Sequence, residues 1–446
     1  LFGKKSFVGG VHPHHCKSQT EKLPIEILYP PEKVKIPISM HIGAPAKTLV
    51  KRNDHVRIGQ TIAEAGGFVS SPVHASISGK VTSIGPCPHP MGRNVPAIEI
   101  TNDNKDDFFE LESLSQDWRE AAPGEIINKI SSCGIVGMGG ASFPTHVKLS
   151  PPSDKKIDTL IINGAECEPF LTADHRLLLE KTDEILTGMS ILKKTLNAKN
   201  AIIGIEDNKP DAIEIVKKKL SDNIYRNLVL VKLKTKYPQG GEKQLINAIT
   251  NREVPSGGLP MDVGCVVQNV GTAYAVWDAI CNGIPLYQRV VTVTGPLVKK
   301  CANLLIRIGT PLRHVLDFCD ADITQTKKLI MGGPMMGITQ VSLDAPVIKS
   351  TSGLIAFDEI HPAIQSHNCI SCGNCVKACP MHLVPSFIAK YVNKGFYETA
   401  EEWNILDCME CGSCAYVCPS MINLVHFMKL GKYNIMSARK AAGNKK

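Results

Sequence analysis

No stretch of this 446-residue sequence approaches the ~18 consecutive apolar residues that cross a bilayer, and no signal-peptide pattern opens it. Neither a membrane span nor a secreted chain is expected. Charge of one sign is sparse too. The net +8 is modest for this length and forms no basic patch interleaved with aromatics, which discounts nucleic acid as a partner. No Ser-His-Asp or Cys-His nucleophile arrangement is evident, so the chemistry is expected to lie with cofactors rather than with an activated side chain. A disulfide framework is missing as well. Cys16, Cys87, Cys133, Cys167, Cys265, Cys281, Cys301 and Cys319 are scattered without framework spacing and read as reduced thiols in a cytoplasm. With 43% hydrophobic and 21% charged residues the chain is globular rather than disordered. Its length exceeds one ordinary core and suggests roughly three or four domains.

One cysteine spacing, by contrast, occurs twice near the end. Cys369, Cys372, Cys375 and Cys379 form C-x2-C-x2-C-x3-C before Pro380, and Cys408, Cys411, Cys414 and Cys418 repeat it before Pro419. This run matches the bacterial ferredoxin signature, in which the fourth cysteine ligates the other cluster. Cys369, Cys372, Cys375 and Cys418 are therefore assigned to one [4Fe–4S] centre, and Cys379, Cys408, Cys411 and Cys414 to its neighbour. Structural zinc knots share C-x2-C but give no reason for the third cysteine or the proline. Paired clusters pass single electrons.

Between Lys33 and Ile100 short β-type runs alternate with turns. Acidic and polar residues from Asn102 to Gln116 read as a linker. A short helix over Gly124–Ser132 precedes a βα alternation. Strands are expected at Thr159–Ile162, Ala201–Ile205 and Leu228–Leu233. Helices are expected from Thr172 to about Leu196, over Pro210–Leu220 and near Glu242–Ile249, which implies a parallel sheet. From Leu286 to about Pro346 β character returns around a helix near Leu312–Phe318. The C-terminal tail carries Lys429, Lys432, Arg439, Lys440, Lys445 and Lys446 behind Leu424, Val425, Phe427, Met428 and Leu430. It could lie on an anionic membrane surface or on an acidic partner, or end as a solvated helix.

Gly137-Met138-Gly139-Gly140 lets backbone N–H groups approach a ligand without Cβ obstruction. Asn163-Gly164-Ala165-Glu166-Cys167-Glu168-Pro169 follows the first strand of the βα region, where ligands of such sheets sit. Together the two motifs point to a nucleotide or flavin site.

The run from Gly137 to Lys148 resembles the FMN- and NADH-binding loop of the complex I flavoprotein subunit, and Asn163–Pro169 resembles the acidic loop that follows it there. Tyr237-Pro238-Gln239-Gly240-Gly241-Glu242-Lys243 resembles the third loop around that flavin. The segment Asp54–Ile62 with Val73-His74-Ala75 and Ser78–Val81 resembles the barrel-sandwich fold of biotinyl and lipoyl domains. Its turn, Pro72–Ser76, lacks the modifiable lysine, so a structural or docking role is expected. With Gly9-Gly10-Val11-His12-Pro13 and the doubled cysteine run, the whole resembles the RnfC (RsxC) family of the Rnf complexes, the ion-translocating ferredoxin:NAD+ oxidoreductases.

That resemblance implies a multidomain α/β and α+β fold. It comprises an N-terminal arm (1–32), a β barrel-sandwich hybrid (33–101) and a Rossmann-like FMN/NADH domain (118–285). An SLBB-like β-grasp module (286–346) and a helical 2[4Fe-4S] ferredoxin-like domain (360–446) follow. It also implies that Gly137, Gly139, Gly140, Lys148, Asn163, Glu166, Glu168, Gly240, Gly241 and Glu242 bind FMN and NADH/NAD+, with Glu166 and Glu168 facing the ligands. Ser142 stands where the related loop commonly has glycine. The implied protein is a peripheral subunit at the cytoplasmic face of the membrane. Its partners are the integral membrane and other subunits of the complex, and ferredoxin directly or through one of them. A flavin and iron–sulfur reductase related to cobalamin reductases, and a non-catalytic electron-wiring subunit, are the alternatives.

Overall fold

The computed structural model describes residues 5–110, 112–114, 117–359 and 366–443. At its centre the strands Val229–Leu233, Asn200–Glu206, Thr159–Gly164 and Cys265–Asn269 lie side by side in that order, every pair parallel. The run Leu160-Ile161-Ile162 is wholly buried, as expected of an interior parallel strand covered on both faces. The outermost strand of this sheet, Cys265–Asn269, escaped the sequence reading. The helix Pro123–Ser132 starts on a proline, takes Glu125 back to the Ala122 N–H at 2.8 Å, and buries Ile126 and Ile130 one turn apart.

The single helix expected from Thr172 to Leu196 is two, Ala173–Glu180 and Thr182–Thr195, broken at Lys181 with φ −133°. The apolar period runs through both, so the pattern hides the break. In the structure the first helix packs against the helices Pro210–Leu220 and Val270–Trp277 and the strand Gln288–Thr294, while the second lies mainly along Val270–Trp277. A Cβ on Gly188 would stand 1.9 Å from the Ala273 carbonyl oxygen, so only glycine allows that second approach.

The barrel-sandwich region consists of Lys33–Pro37, Arg93–Asn102, Gly79–His89 and His55–Val56 in one sheet and Lys47–Thr48, Thr61–Glu64 and Val73–His74 in another. Its Pro72–Ser76 turn is buried. Ser76 Oγ donates to the Ile308 carbonyl at 2.5 Å, and Lys349 Nζ donates to the carbonyls of Pro72 (2.9 Å) and Gly134 (2.7 Å). Desolvation pushes that lysine down to about 7. Where carrier domains expose a hairpin tip, this chain uses the turn to join three regions.

The next sheet runs Ile25–Ile27, Ala302–Arg307, Gln288–Thr294, Gly353–Phe357, Lys328–Met331, Ile338–Thr339. It draws one strand from the N-terminal arm and another from beyond residue 346. Short helices (Asn374–Ala378, Pro385–Asn393, Tyr397–Glu402, Ser413–Tyr416) and the long helix Leu424–Gly443 complete the chain. The long helix buries Leu424, Met428 and Ile435, so much of its apolar face is spent on its own module. Lys445 and Lys446 lie outside the described residues. Among the described residues no helix is long and apolar enough to cross a membrane.

Candidate cofactor and cluster sites

The glycine loop drapes over the start of the helix Val270–Trp277. The Gly137 N–H donates to the Phe143 carbonyl at 2.9 Å and the Met138 N–H to Thr272 Oγ1 at 2.9 Å. A Cβ on Gly139 would lie 3.0 Å from Asn269 Nδ2, whereas one on Gly140 would meet nothing within 4 Å. Asn269 caps the helix by accepting the Gly271 N–H at 2.8 Å, and its amide donates to Asp174 at 2.6 Å. A glycine loop beside a helix N-terminus is suited to an anion such as phosphate. Asn269 and Thr272 are residues that sequence reasoning missed; the signal was an asparagine directly before an apolar helical run. Ser142 adopts φ +53°, which explains why glycine suits that position.

The second and third loops are fastened together. Asn163, near the end of its strand, donates from Nδ2 to the Gly240 carbonyl at 2.9 Å, and the Gly240 N–H donates to Cys167 Sγ at 3.3 Å. Lys148 meets Glu242 at 2.7 Å and also donates to the Val267 carbonyl at 3.2 Å. Two residues expected at the site from separate segments are thus brought into contact.

Glu166 and Glu168 have other employment. Glu166 accepts the N–H groups of Asp174 (2.7 Å) and His175 (3.2 Å), capping the helix Ala173–Glu180, and the buried Lys17 ammonium stands 3.8 Å away. Glu168 accepts the N–H groups of Met335 (3.0 Å) and Met336 (2.9 Å). Both carboxylates hold loops in place. Burial raises the Glu168 carboxyl to about 7, and burial also pushes Glu166 upward against the pull of Lys17.

Five buried polar atoms on or next to these segments have no partner among the described residues: Ser142 Oγ, Thr145 Oγ1, Gln239 Nε2, Gln244 Oε1 and Gln268 Nε2. Native interiors leave few such groups unmatched, so their grouping on the first loop, the helix after it, the third loop and the adjoining strand fits a polar ligand such as FMN.

The third loop then reaches the first cysteine centre. Tyr237 Oη donates to the Cys411 carbonyl at 2.7 Å, Gln244 Nε2 donates to the Pro380 carbonyl at 3.1 Å, and a Cβ on Gly241 would stand 2.8 Å from the Met409 methyl. Cys379, Cys408, Cys411 and Cys414 all line one small pocket, together with Pro380, Met409 and Met428. No three ligating side chains among the described residues stand close enough to hold a single metal ion. Burial pushes Cys408 up to about 11 and raises Cys379 and Cys414, so the thiolates that ligation requires need the charge of bound iron.

The other quartet lies farther out. Hydrogen bonds from the His367 N–H to the Ser420 carbonyl (2.9 Å) and from Ser420 Oγ to the Asn368 carbonyl (3.0 Å) bring Cys369 toward Cys418. Cys375 and Cys418 share a packed group with Leu424, and Cys372 is exposed. Both motifs coil through the same left-handed residues: Ser371 and Glu410, Gly373 and Gly412, His382 and Met421. The repeat is therefore a repeat of backbone as well as of cysteines.

Comparison with known proteins agrees with this layout. Residues 5–105 match the RnfC barrel sandwich hybrid domain, 130–278 the Nuo51 FMN-binding domain, and 361–419 the 4Fe-4S dicluster domain. The chain is 50% identical over 444 residues to the C subunit of the proton-translocating ferredoxin:NAD(+) oxidoreductase complex of Clostridium ljungdahlii, covering 99% of this chain and 95% of that one. It is 45% identical over 443 residues to the C subunit of the Na(+)-translocating ferredoxin:NAD(+) oxidoreductase complex of Acetobacterium woodii, covering 98% of each. A longer relative, the C subunit of the ion-translocating oxidoreductase complex of Pseudomonas aeruginosa, is 40% identical over 97% of this chain and 56% of its own length. Among solved structures, an NAD+-reducing [NiFe]-hydrogenase in the H2-reduced state shares the fold at TM-score 0.50 and 17% identity, over 72% of this chain and 62% of that one.

Proposed function

This chain belongs to the RnfC family of ion-translocating ferredoxin:NAD+ oxidoreductase complexes, and from that premise we propose that it exchanges electrons between NAD(H) at a bound FMN and two [4Fe–4S] clusters. FMN takes a hydride from a nicotinamide and returns electrons singly, while each cluster carries one at a time. The protein supplies placement. The N–H groups of Gly139 and Gly140 and the first turn of the helix Val270–Trp277 hold the flavin phosphate. Ser142, Thr145, Gln239 and Gln268 complete its polar contacts, while the bare Cα of Gly240 lets the third loop close on Cys167 and Asn163 and that of Gly241 makes room for Met409. Asn163 and the Lys148–Glu242 pair set the loops around it. Glu166 and Glu168 act at one remove, by fastening those loops. Cys379, Cys408, Cys411 and Cys414 ligate one cluster; Cys369, Cys372, Cys375 and Cys418 ligate the other. We read the domain order as arm, barrel-sandwich, flavin domain, β-grasp-like module and ferredoxin-like domain, with the β-grasp-like sheet taking in Ile25–Ile27 from the arm and Gly353–Phe357 from beyond residue 346.

The observation that carries this reading is the Tyr237–Glu242 loop, which touches Asn163 and Cys167 on one side and Cys411, Met409 and Pro380 on the other. One rigid segment sets the separation of flavin site and nearer cluster. We place the protein peripherally on the cytoplasmic face, where NADH and ferredoxin are found, attached through the membrane subunits of its complex. Anaerobic purification should yield stoichiometric FMN, about eight irons per chain, and NADH-dependent ferricyanide reduction. Full iron without flavin would sink the proposal.

A further inference from the structure

The run Gly9-Gly10-Val11 of the N-terminal arm is wedged between the third flavin loop and the quartet Cys379, Cys408, Cys411 and Cys414. Its consecutive peptide units bond to opposite sides. The Gly10 N–H donates to the Ala378 carbonyl at 2.8 Å, next to the ligand Cys379. The Val11 N–H donates to the Tyr237 carbonyl at 2.7 Å, and the Tyr237 N–H returns to the Val11 carbonyl at 2.9 Å. Glycine is required at both preceding positions. Gly9 (φ +84°) and Gly10 (φ +80°) are left-handed, and a Cβ would stand 2.7 Å from the Cys379 carbonyl oxygen at the first and 2.5 Å from the Tyr237 carbonyl oxygen at the second.

The arm is anchored on either side of this wedge. Upstream, the Lys5 N–H donates to the Lys232 carbonyl (3.2 Å) and the Lys234 N–H to the Lys5 carbonyl (2.9 Å), extending the edge of the parallel sheet. The Lys236 ammonium stands 4.5 Å from the centre of the Phe7 ring. Downstream, the Phe170 N–H donates to the His15 carbonyl at 2.8 Å, and the buried Lys17 donates to the carbonyls of Glu166 (2.7 Å) and Leu171 (2.6 Å). One segment thus fastens the second loop, the third loop and the cysteine module to each other.

Val11 also fills the space between them. With Tyr237, Ala378 and the ligand Cys411 it forms a buried group, against which Cys167 and Met409 pack. Cys167 accepts the Gly240 N–H through its sulfur, so this group runs without a break from the flavin loops to a cluster ligand. The polar atom on the Tyr237 ring donates to the Cys411 carbonyl, which keeps the interior of the group apolar. An apolar shell that excludes water lowers the potential of a cluster, because the reduced form carries the greater charge.

We propose that Gly9, Gly10 and Val11 are positioning residues for electron transfer. They hold this quartet at a fixed separation from the third flavin loop and keep water out of the space between, and so set the potential of the cluster bound there. The inference rests on the redox reading above, in which none of the three is a ligand, and adds to it a role for the arm. Each transfer removes one electron from the reduced flavin and adds it to the oxidised cluster; no bond forms or breaks at the arm.

The test uses the full chain, prepared anaerobically with its cofactors. Val11→Thr nearly matches the native volume and adds a hydroxyl. It should raise the midpoint potential of the covered cluster, read by redox titration with electron paramagnetic resonance, and leave that of the other cluster in place. Val11→Ile should keep the native potential. Gly9→Ala should lift the arm from the Cys379 carbonyl and slow reduction of that cluster by NADH at least about tenfold in stopped flow. Amide hydrogen exchange at Gly10 and Val11 should rise at least about tenfold in the same variant. Iron content and NADH–ferricyanide activity should stay as in the wild type. Iron-replete variants with unchanged potentials and an unchanged NADH rate overturn the inference. An equal shift at both clusters, or loss of iron from both quartets, overturns it too, since the arm would then support the whole module rather than one cluster. Wild-type protein without flavin, or unable to reduce ferricyanide with NADH, strikes the redox reading instead.

Discussion

The two cysteine quartets are alike in spacing and in their left-handed backbone positions, yet their surroundings are opposite. The inner one is roofed by Tyr237, Met409 and the N-terminal Gly9-Gly10 segment; a Cβ on Gly9 would meet the Cys379 carbonyl oxygen at 2.7 Å. The outer one shows Cys372 to solvent, and Ile370 and Met421, close in sequence to its ligands, are exposed as well. Duplication supplies two equivalent cysteine frames, and the rest of the chain covers one and leaves the other exposed. The covering residues, rather than the ligands, assign the roles.

The largest effect that would sharpen this comparison is loss of a ligand from each side. Cys411→Ser is expected to lower iron from about eight to about four per chain and abolish NADH-to-ferredoxin transfer, with ferricyanide reduction at the flavin retained. Cys372→Ser should leave a cluster that NADH still reduces, visible by electron paramagnetic resonance, while transfer to ferredoxin is lost. If both variants keep an NADH-reducible cluster, the inner and outer roles are wrong.

Tyr237→Phe removes the donor to the Cys411 carbonyl and should cost about 1–3 kcal/mol of stability by thermal or denaturant melts. It should also shift the inner cluster's resonance and leave the outer one's in place. Glu168 gives an effect of similar size through pH. Its carboxyl is raised from 4.5 to about 7, so between those values the folded chain retains a proton that the unfolded chain has released. Its contribution is therefore greatest below the lower value and declines as pH rises through the upper one. Relative to Glu168→Gln, the wild type should lose about 1–3 kcal/mol between about pH 5 and about pH 8. A flat difference would mean that the carboxylate is ionised throughout, held by the Met335 and Met336 N–H groups.

The smallest contrast lies at equivalent glycines. Gly373 (φ +75°) has open space about it, while Gly412 (φ +85°) would bring a Cβ to 3.2 Å from the Met335 carbonyl oxygen. Alanine should cost about 1 kcal/mol at the outer position and about 2 at the inner. Equal costs would show that the inner roof yields.

Much of this was legible in order of appearance. Periods of two and of 3.6 mark the β and βα regions because backbone geometry imposes them. The ferredoxin spacing assigns ligands because a cubane admits few loop lengths. What stayed hidden depended on contacts distant in sequence. The break at Lys181 leaves the apolar period intact, only the first of the two helices reaches the strand Gln288–Thr294, and Ile25–Ile27 joins a sheet whose other strands begin more than two hundred residues later. Glu166 and Glu168 look like ligand-facing acids from their motif, but the N–H groups they accept belong to residues 174–175 and 335–336.

By itself the sequence determined the cofactor chemistry, since glycines that open a backbone and cysteines that wrap a cluster act through local geometry alone. Only the tertiary structure decided which quartet is covered by the Tyr237–Glu242 loop and which is left exposed. Burial and pairing belong to the contacts between distant segments, and no local spacing encodes them.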